Sequence, residues 1–347
     1  MKKIKLLFLI CIFSFVFPLD IWVTIDKTQE ASLKTFFSSI LPQAKVKFFY
    51  WDTALKDINK LIKKNIKPDI LLTGHTFVPS IANNFPEFDS IEPIFWDIRA
   101  LYVWGEKPVS PVSSWTDMLY YLQTNGSFLS FPKQWSADSF YNFHAFFNDQ
   151  LPFWVSQTPF SGLNMSYTLK LLTTLKKVYP HIFSDDPVKS FLNKEDEAII
   201  SGLWMYGLLK KQNEPFSVFT VPKSEKDIEF KGAYVGIYFN NDSTTQKAKD
   251  TINSYRFQKL SWSIFGLLPV NPKLQSELGE DPMMNVLIKN ADTSKWASPV
   301  DPQELNQKIS ILNYFLKKKD ITKNFNEKKY SNFFNNKIYY MLFKWFN

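Results

Sequence analysis

Most catalytic and metal sites are built from histidine, cysteine and paired carboxylates, and this chain offers few of them. Its three histidines are His75, His144 and His181, and none has a second histidine or cysteine at metal-ligand spacing. The motifs of serine hydrolases, zinc peptidases, P-loop proteins and dinucleotide-binding proteins are missing. We therefore predict no catalytic residue, no metal and no cofactor, in a protein that is not an enzyme. One enzymatic alternative stays open, since the paired carboxylates of a glycoside hydrolase need not be close in sequence.

Aromatic side chains stand out instead. They make up 17% of the chain, with 34 Phe, 15 Tyr and 11 Trp. Rings near strand ends can stack on a sugar face or another flat apolar ligand at low entropic cost, while polar neighbours fix its orientation. For each ring the alternative is packing in a core. The candidates are spread along the whole chain: Trp22, Trp96, Trp104, Trp135, Trp204, Tyr206 and Trp262.

One stretch places two of these rings just after a glycine. NKEDEAIISGLWMYG, residues 193–207, combines a charged quartet, an apolar run, Gly202, Trp204 and Tyr206. The charges indicate a solvated turn ahead of a buried strand. Glycine lets the backbone bend where a strand ends, so the two rings either pack in a core or form a platform for a ligand.

The elements that would position these residues follow an α/β pattern in the first part of the chain. Apolar runs predict strands over 19–26, 44–51 and 67–72, and apolar spacings of three and four predict helices over 29–41 and 55–62. This alternation implies a parallel sheet covered by helices on both faces. The length of 347 residues favours two domains.

Later elements are predicted in the same way. Ser114 and Asp117 are typical of a helix start, and Asn125-Gly126 of its end. Strands are predicted over 198–204, 216–222 and 232–240, and helices over 114–126, 139–149, 166–178, 244–257 and 301–319. An aromatic helix or tail is predicted over 331–347.

The N-terminus has the pattern of an export signal or membrane leader over residues 1–18. Lysines at the start precede an apolar run from Leu6 to Phe17, which is short for a membrane span. Cys11 is the only cysteine, so the rest of the chain cannot form an internal disulfide. Cleavage, an uncleaved leader and lipidation of Cys11 all stay open.

The formal net charge is +8, but the lysines are scattered along the chain. The densest runs, Lys60–Lys67 and Lys317–Lys323, fall on helical patterns and are typical of solvated helix faces. We therefore predict no nucleic-acid partner.

The order of these pieces resembles the extracellular solute-binding proteins of ABC importers, in particular the maltose-binding-like group (family 1), in a divergent form. LDIWVTIDK resembles the first strand of that family, KPDILLTGHTF a strand and loop with ligand contacts, and DEAIISGLWMYG the stretch with a platform tryptophan. RALYVWGEKPVSPVSSWTDML and GAYVGIYFNNDSTTQKAKDTINSY are similar to the segments that cross between the lobes. The likeness runs from Leu19 to about Tyr330, although residues 85–105 are shorter than their counterpart.

The resemblance implies a fold. It is the α/β, two-lobed periplasmic-binding-protein type II fold, in which each lobe is a mainly parallel sheet flanked by helices and hinge crossovers join the lobes. Residues 19–100 and 236–278 would form lobe 1, and residues 104–232 and 281–330 lobe 2.

The resemblance also implies a function. The chain would be an extracytoplasmic monomer, in the periplasm or on the outer face of the cytoplasmic membrane, that closes on a small solute and presents it to the transmembrane subunits of an ABC permease. A sugar or oligosaccharide is the solute to test first. The degraded motifs and the aromatic tail leave an alternative, a non-transporting surface or interaction protein that retains the fold.

Six residues would contact the solute. An aspartate and a lysine at the end of the first strand bind sugar hydroxyls in the family, and they map onto Asp26 and Lys27; a helix-capping turn is the alternative for this pair. The other expected contacts are polar ones from Thr73 and His75 in lobe 1 and a stacking face from Trp204 and Tyr206 in lobe 2.

Overall fold

The structure is a computed structural model. It describes residues 19–78, 81, 88–126, 128–136, 139, 142–143, 172, 175–222, 230–293, 295–296, 309–310, 313–314 and 316–317. The leader and the aromatic segment 331–347 lie outside these residues. Most residues of the three helices predicted over 139–149, 166–178 and 301–319 lie outside them too. His144 lies outside them as well.

The described chain is a mixed α/β structure. Its strands are β1 (Asp20–Ile25), β2 (Lys45–Tyr50), β3 (Ile70–Gly74), β4 (Ser90–Asp97), β5 (Arg99–Trp104), β6 (Phe131–Pro132), β7 (Phe183–Ser184), β8 (Ala198–Gly202), β9 (Phe216–Thr220), β10 (Phe230–Tyr238), β11 (Leu268–Pro269) and β12 (Lys295–Trp296). Its helices are α1 (Glu30–Ile40), α2 (Ala54–Ile62), α3 (Trp115–Asn125), α4 (Pro187–Leu192), α5 (Trp204–Gln212), α6 (Ser243–Asn253), α7 (Tyr255–Phe265), α8 (Pro272–Leu278) and α9 (Pro282–Thr293).

The first sheet has the order β11–β4–β10–β3–β1–β2, and β12 pairs with β10. Strands β1, β2 and β3 are parallel, as the alternation of strands and helices predicted. Strand β10 enters between β3 and β4 and is antiparallel to both. One face of this sheet packs under α1, α6 and α7, and the other packs under α2, so the sheet is buried on both sides.

The second sheet has the order β8–β5–β9, and its strand pairs are antiparallel. This differs from the mainly parallel sheet that the resemblance implied for each lobe. The reason is topological, because β5 arrives from the first sheet and β8 and β9 each return alongside it in the opposite direction. A single parallel bridge from Leu129 to Ala198 extends the sheet beside β8.

Chain crossings connect the two sheets. Strand β4 belongs to the first sheet and β5 to the second, with only Ile98 between them. The chain returns with β10, which pairs with β4 from Gly232 onward, so its residues 232–235 already belong to the first sheet. It crosses again after β11, because Met284 and Leu287 of α9 pack with the core beneath the second sheet.

Two local predictions are corrected. The helix predicted over 244–257 is two helices, because Ser254 has an extended backbone, with φ −68° and ψ 149°, and its side chain caps the second one. The strand predicted over 198–204 ends at Gly202, and Trp204 opens α5. The segment 85–105 contains strands β4 and β5, and its shortening relative to the family stays a prediction.

Candidate functional site

The three parallel strands of the first sheet end at the same level. The register pairs Ile25 with Tyr50 and Val23 with Leu72, so Asp26, Trp51 and His75 each follow a strand end at one edge. We call this edge, with those three residues, the carboxyl edge. In open α/β sheets ligands bind outside the carboxyl ends of the strands, so this is the first place to seek a site.

Asp26 and Lys27 form a capped turn at the carboxyl edge. The Asp26 carboxylate accepts hydrogen bonds from the Thr28 amide at 2.8 Å and the Thr28 hydroxyl at 2.6 Å. The Gln29 side chain accepts from the Asp26 amide at 2.9 Å, which completes a capping box. Hydrogen bonds to the charged form lower the pKa of Asp26. Both Asp26 and Lys27 are exposed, so the capping role leaves part of the carboxylate and the ammonium accessible.

Trp51 is the exposed aromatic residue of the carboxyl edge. Its side chain is 40% exposed, and its ring meets Phe77 at 5.7 Å and Tyr234 at 6.1 Å between centroids, both edge to face. These contacts hold the ring in place while leaving part of it open to stacking. Trp51 is not among the residues predicted to contact the solute, although its position at the end of an alternating strand was a usable signal.

His75 is buried beneath the same edge. Its Nδ1 lies 3.1 Å from the Ala233 carbonyl oxygen and 3.0 Å from the Ala233 amide nitrogen on β10. Burial lowers the pKa of His75 to about 4, so the ring is neutral at physiological pH. Within the described part of the chain its Nε2 has no hydrogen-bond partner.

Thr73 is fully buried on β3, on the sheet face covered by α2. Thr24 lies on the neighbouring strand and is equally buried. Neither hydroxyl has a hydrogen-bond partner among the described residues. Thr73 and His75 thus place unsatisfied polar atoms just below the carboxyl edge, whereas Asp26, Lys27 and Trp51 lie on its surface.

Trp204 is held between two glycines. A Cβ on Gly202 would lie 2.9 Å from Trp204 Cδ1, and one on Gly266 would lie 2.8 Å from Trp204 Cβ. Gly266 ends α7, and two residues earlier the Ile264 carbonyl accepts a 2.7 Å hydrogen bond from the Gln29 side chain. The end of α7 therefore links the Asp26 turn of the first sheet to Trp204 beside the second.

Tyr206 faces a different environment from Trp204. Residues two apart on a helix do not share a face, and the Tyr206 ring is buried against Phe216 at 5.9 Å between centroids. Its hydroxyl donates a hydrogen bond to Asp281, and burial is the largest cause of a raised Tyr206 pKa. Trp204 is thus linked to the Asp26 turn only indirectly, through α7 and Gln29, and Tyr206 packs in the core beside the second sheet.

The other aromatic candidates have separate surroundings. Trp22 and Trp135 are core residues, 1% and 2% exposed. Trp104 stacks on Phe191 at 5.1 Å. Trp96 is partly buried close to the Ile98 crossing, where the Lys231 ammonium lies 4.2 Å from its ring centroid. Trp96, Trp104 and Trp262 all pack against the core beneath the second sheet.

Among the described residues, His, Cys, Asp and Glu side chains form no group of three or more suited to a metal ion. No helix within the same residues combines the length and apolar character that a membrane crossing requires.

A comparison with solved structures identifies the architecture. The chain matches an ABC transporter solute-binding protein from Thermotoga Lettingae TMO, bound with alpha-D-tagatose, at a TM-score of 0.66. The match covers 87% of this chain and 95% of the other, at 16% sequence identity. The fold is that of a solute-binding protein. At this identity the likeness concerns the fold alone.

Comparisons of sequence add no family. No protein-family model matches the chain, and no curated protein matches it. The solute-binding-protein fold agrees with the two-lobed α/β architecture that the sequence implied, while the maltose-binding-like subtype stays a prediction.

Proposed function

We propose that this protein is the extracytoplasmic solute-binding component of an ABC transporter. The observation that carries the proposal is the carboxyl edge, where an exposed aromatic ring stands beside a capped aspartate and an exposed lysine in a solute-binding-protein fold. A small solute would bind at this edge and be covered by residues of the second lobe. The solute proposed is a sugar or oligosaccharide, because a partly exposed ring beside carboxylate and ammonium groups suits sugar faces and hydroxyls.

Each proposed contact has a distinct role. Trp51 and Trp204 would supply stacking surfaces, and Asp26 and Lys27 would hydrogen-bond solute hydroxyls. Thr73 and His75 lie deeper and would contact a group that reaches below the edge. Tyr206 would act on the solute only through the packing of α5, since its hydroxyl is bonded to Asp281.

Closure of the two lobes would distinguish the solute-bound protein from the empty one. Lobe 1 would comprise residues 19–100 and 236–278, and lobe 2 residues 104–232 and 281–330, with rotation at the crossings. A solute that contacts both lobes favours the closed form by the difference between its affinities for the two forms. The closed monomer would then dock on the transmembrane subunits of its permease, with the leader keeping it near the membrane.

The test is a solute screen followed by substitutions. Sugars, amino acids, polyamines and peptides are screened by thermal shift and tryptophan fluorescence. For a solute that binds, Trp51→Ala should weaken binding by roughly 1–2 kcal/mol, a typical loss for a stacking ring. Tyr120→Ala on α3, a residue that is 67% exposed, is the matched control and should bind normally.

The alternative function predicts a different result. A non-transporting protein with this fold would bind none of these solutes, and Trp51→Ala would alter neither melting temperature in their presence nor fluorescence response. That result would reject the transport proposal.

A further inference from the structure

Exposed lysines gather at the opposite edge of the first sheet, where β1, β2 and β3 begin. We call this group the basic edge patch: Lys45, Lys47, Lys60, Lys63, Lys64 and Lys67. All six side chains are exposed. None of them forms an ion pair with a carboxylate of the described residues. The patch therefore presents a high density of positive charge to the solvent, of which Lys45 and Lys47 also interact with the Asp20 carboxylate.

The fold brings these lysines together from separate segments. Helix α2 runs back from the end of β2 to the start of β3, so its last turn and residues 63–67 lie at the starting edge. The Lys45 amide donates to the Leu19 carbonyl at 2.7 Å, which fixes the start of β2 beside the start of the described chain. Lys47 lies on the α2 side, with its ammonium 5.1 Å from the Phe49 ring centroid.

The carboxylates near this edge are engaged within the protein. Asp69 accepts hydrogen bonds from the Asp20 amide at 2.8 Å and from the Asn240 side chain at 2.7 Å. Asp20 is only partly exposed and lies beside Lys45 in the register. Asp57 lies in the first turn of α2, toward the other end of that helix. The surface of the edge is thus dominated by lysine.

A helix-stabilising role explains only part of the patch. Lysines near a helix C-terminus interact favourably with its dipole, which suits Lys60 and Lys63. Lys45 and Lys47 lie on a strand and Lys67 in the following loop, so no dipole accounts for them. A common partner for all six is a more complete explanation.

The sequence before Leu19 gives a second, independent argument about the partner of the patch. An apolar run from Leu6 to Phe17 ends two residues before Leu19. Two extended residues span at most about 7 Å, which is less than the Debye length of about 8 Å at physiological ionic strength. If the apolar run enters a bilayer, the basic edge patch is held within electrostatic range of its surface.

We propose that the basic edge patch is a membrane-facing surface that binds anionic lipid headgroups. Each lysine near an anionic surface strengthens binding about fivefold. The proposal does not depend on which solute is bound, or on whether one is bound.

The experiment compares two charge-matched variants of the full chain. The patch variant carries Lys60→Gln, Lys63→Gln, Lys64→Gln and Lys67→Gln. The control variant carries Lys34→Gln, Lys189→Gln, Lys211→Gln and Lys247→Gln, which are exposed lysines on other helices. Partitioning is measured on phosphatidylcholine vesicles with and without phosphatidylglycerol, and the ratio of the two partition coefficients cancels the apolar contribution of the leader.

The wild type and the control variant should both prefer phosphatidylglycerol vesicles, and the patch variant should lose at least tenfold of that preference. Raising the salt concentration should remove the difference between the variants. Equal loss in both variants would show a net-charge effect and overturn the proposal. Stronger competition by soluble RNA than by phosphatidylglycerol vesicles would also overturn it, in favour of a polyanion partner. Circular dichroism melts verify that both variants are folded.

Discussion

At the scale of single residues, Gly266 sets how closely Trp204 approaches the end of α7. Its φ is +64°, and an added Cβ would lie 2.8 Å from the Trp204 Cβ. Gly266→Ala should therefore combine the cost of a left-handed backbone with that of a steric overlap, roughly 2–4 kcal/mol in unfolding free energy. Chemical denaturation measures it.

Gly126 separates these two costs. It also has a positive φ, +77°, but nothing lies within 4 Å of an added Cβ. Gly126→Ala should lose only about 1 kcal/mol, the backbone cost alone. Equal losses in the two variants would mean that Trp204 does not pack against Gly266 as the structure has it.

His75 gives the protein a pH-dependent stability. Burial lowers its pKa from 6.5 to about 4, so between these pH values the unfolded chain binds more protons than the folded one. Stability should consequently fall as the pH drops from 6.5 to 4, by about 3 kcal/mol in total from this residue. Above pH 6.5 His75 adds no pH dependence.

The measurement is the free energy of unfolding against pH for the wild type and for His75→Gln. The difference between the two curves isolates His75 from the carboxylates, which titrate in both proteins. The curve of the variant should be flatter between pH 6.5 and 4. Parallel curves across that window would show that His75 is accessible to protons in the folded protein.

At the scale of elements, the break between α6 and α7 directs the second helix toward the candidate site. Ser254 caps α7 by accepting from the Phe257 amide at 3.2 Å, and its hydroxyl donates to the Thr251 carbonyl at 2.6 Å. Ser254→Ala should destabilise the protein by about 1 kcal/mol, whereas Ser254→Asp, which keeps an acceptor, should lose less. Thermal denaturation compares them. If Ser254→Ala and Ser254→Asp have the same stability, the break between α6 and α7 does not depend on the cap.

Local sequence patterns predicted the elements whose signals are local. Strands β1 to β3 and helices α1 and α2 lie within a few residues of their predicted bounds. Each of them has an apolar face that packs in the core, and that face gives the sequence its apolar periodicity. The prediction of a single helix over 244–257 was wrong because the apolar spacing continues across Ser254. Spacing alone does not reveal that Ser254 caps a second helix. The antiparallel pairing of β5 with β8 and β9 is set by contacts between residues about 100 apart, which periodicity does not record.

The site residues stay predictions. Asp26 and Lys27 were implied by the resemblance, and the capping alternative for them is present in the structure. Trp51 was missed because an aromatic residue after a strand is common, and its exposure depends on Phe77 and Tyr234 from elsewhere in the chain. Tyr206 was grouped with Trp204 by sequence distance, although two helical residues at that spacing point in different directions.

At the scale of the whole molecule, the proposed hinge closure would take place at the crossings between the two sheets. The link between β4 and β5 is the single residue Ile98, flanked by an ion pair between Asp97 and Arg99. Short links of this kind absorb a rotation while the sheets on either side keep their own cores. Solute binding should thus change distances between the two sheets and leave distances within each sheet unchanged.

This prediction can be measured because Cys11 is the only native cysteine. In a Cys11→Ser background, fluorophores at Ile66→Cys and Val109→Cys span the two sheets, and fluorophores at Ile66→Cys and Lys247→Cys lie on elements of the first sheet alone. A solute found in the screen should shift energy transfer in the first pair and not in the second. A solute that binds without changing energy transfer in the first pair would contradict hinge closure, because closure requires that the solute stabilise one arrangement of the lobes over another. A shift in the second pair would instead indicate that α6 and the loop after α2 move within the first lobe.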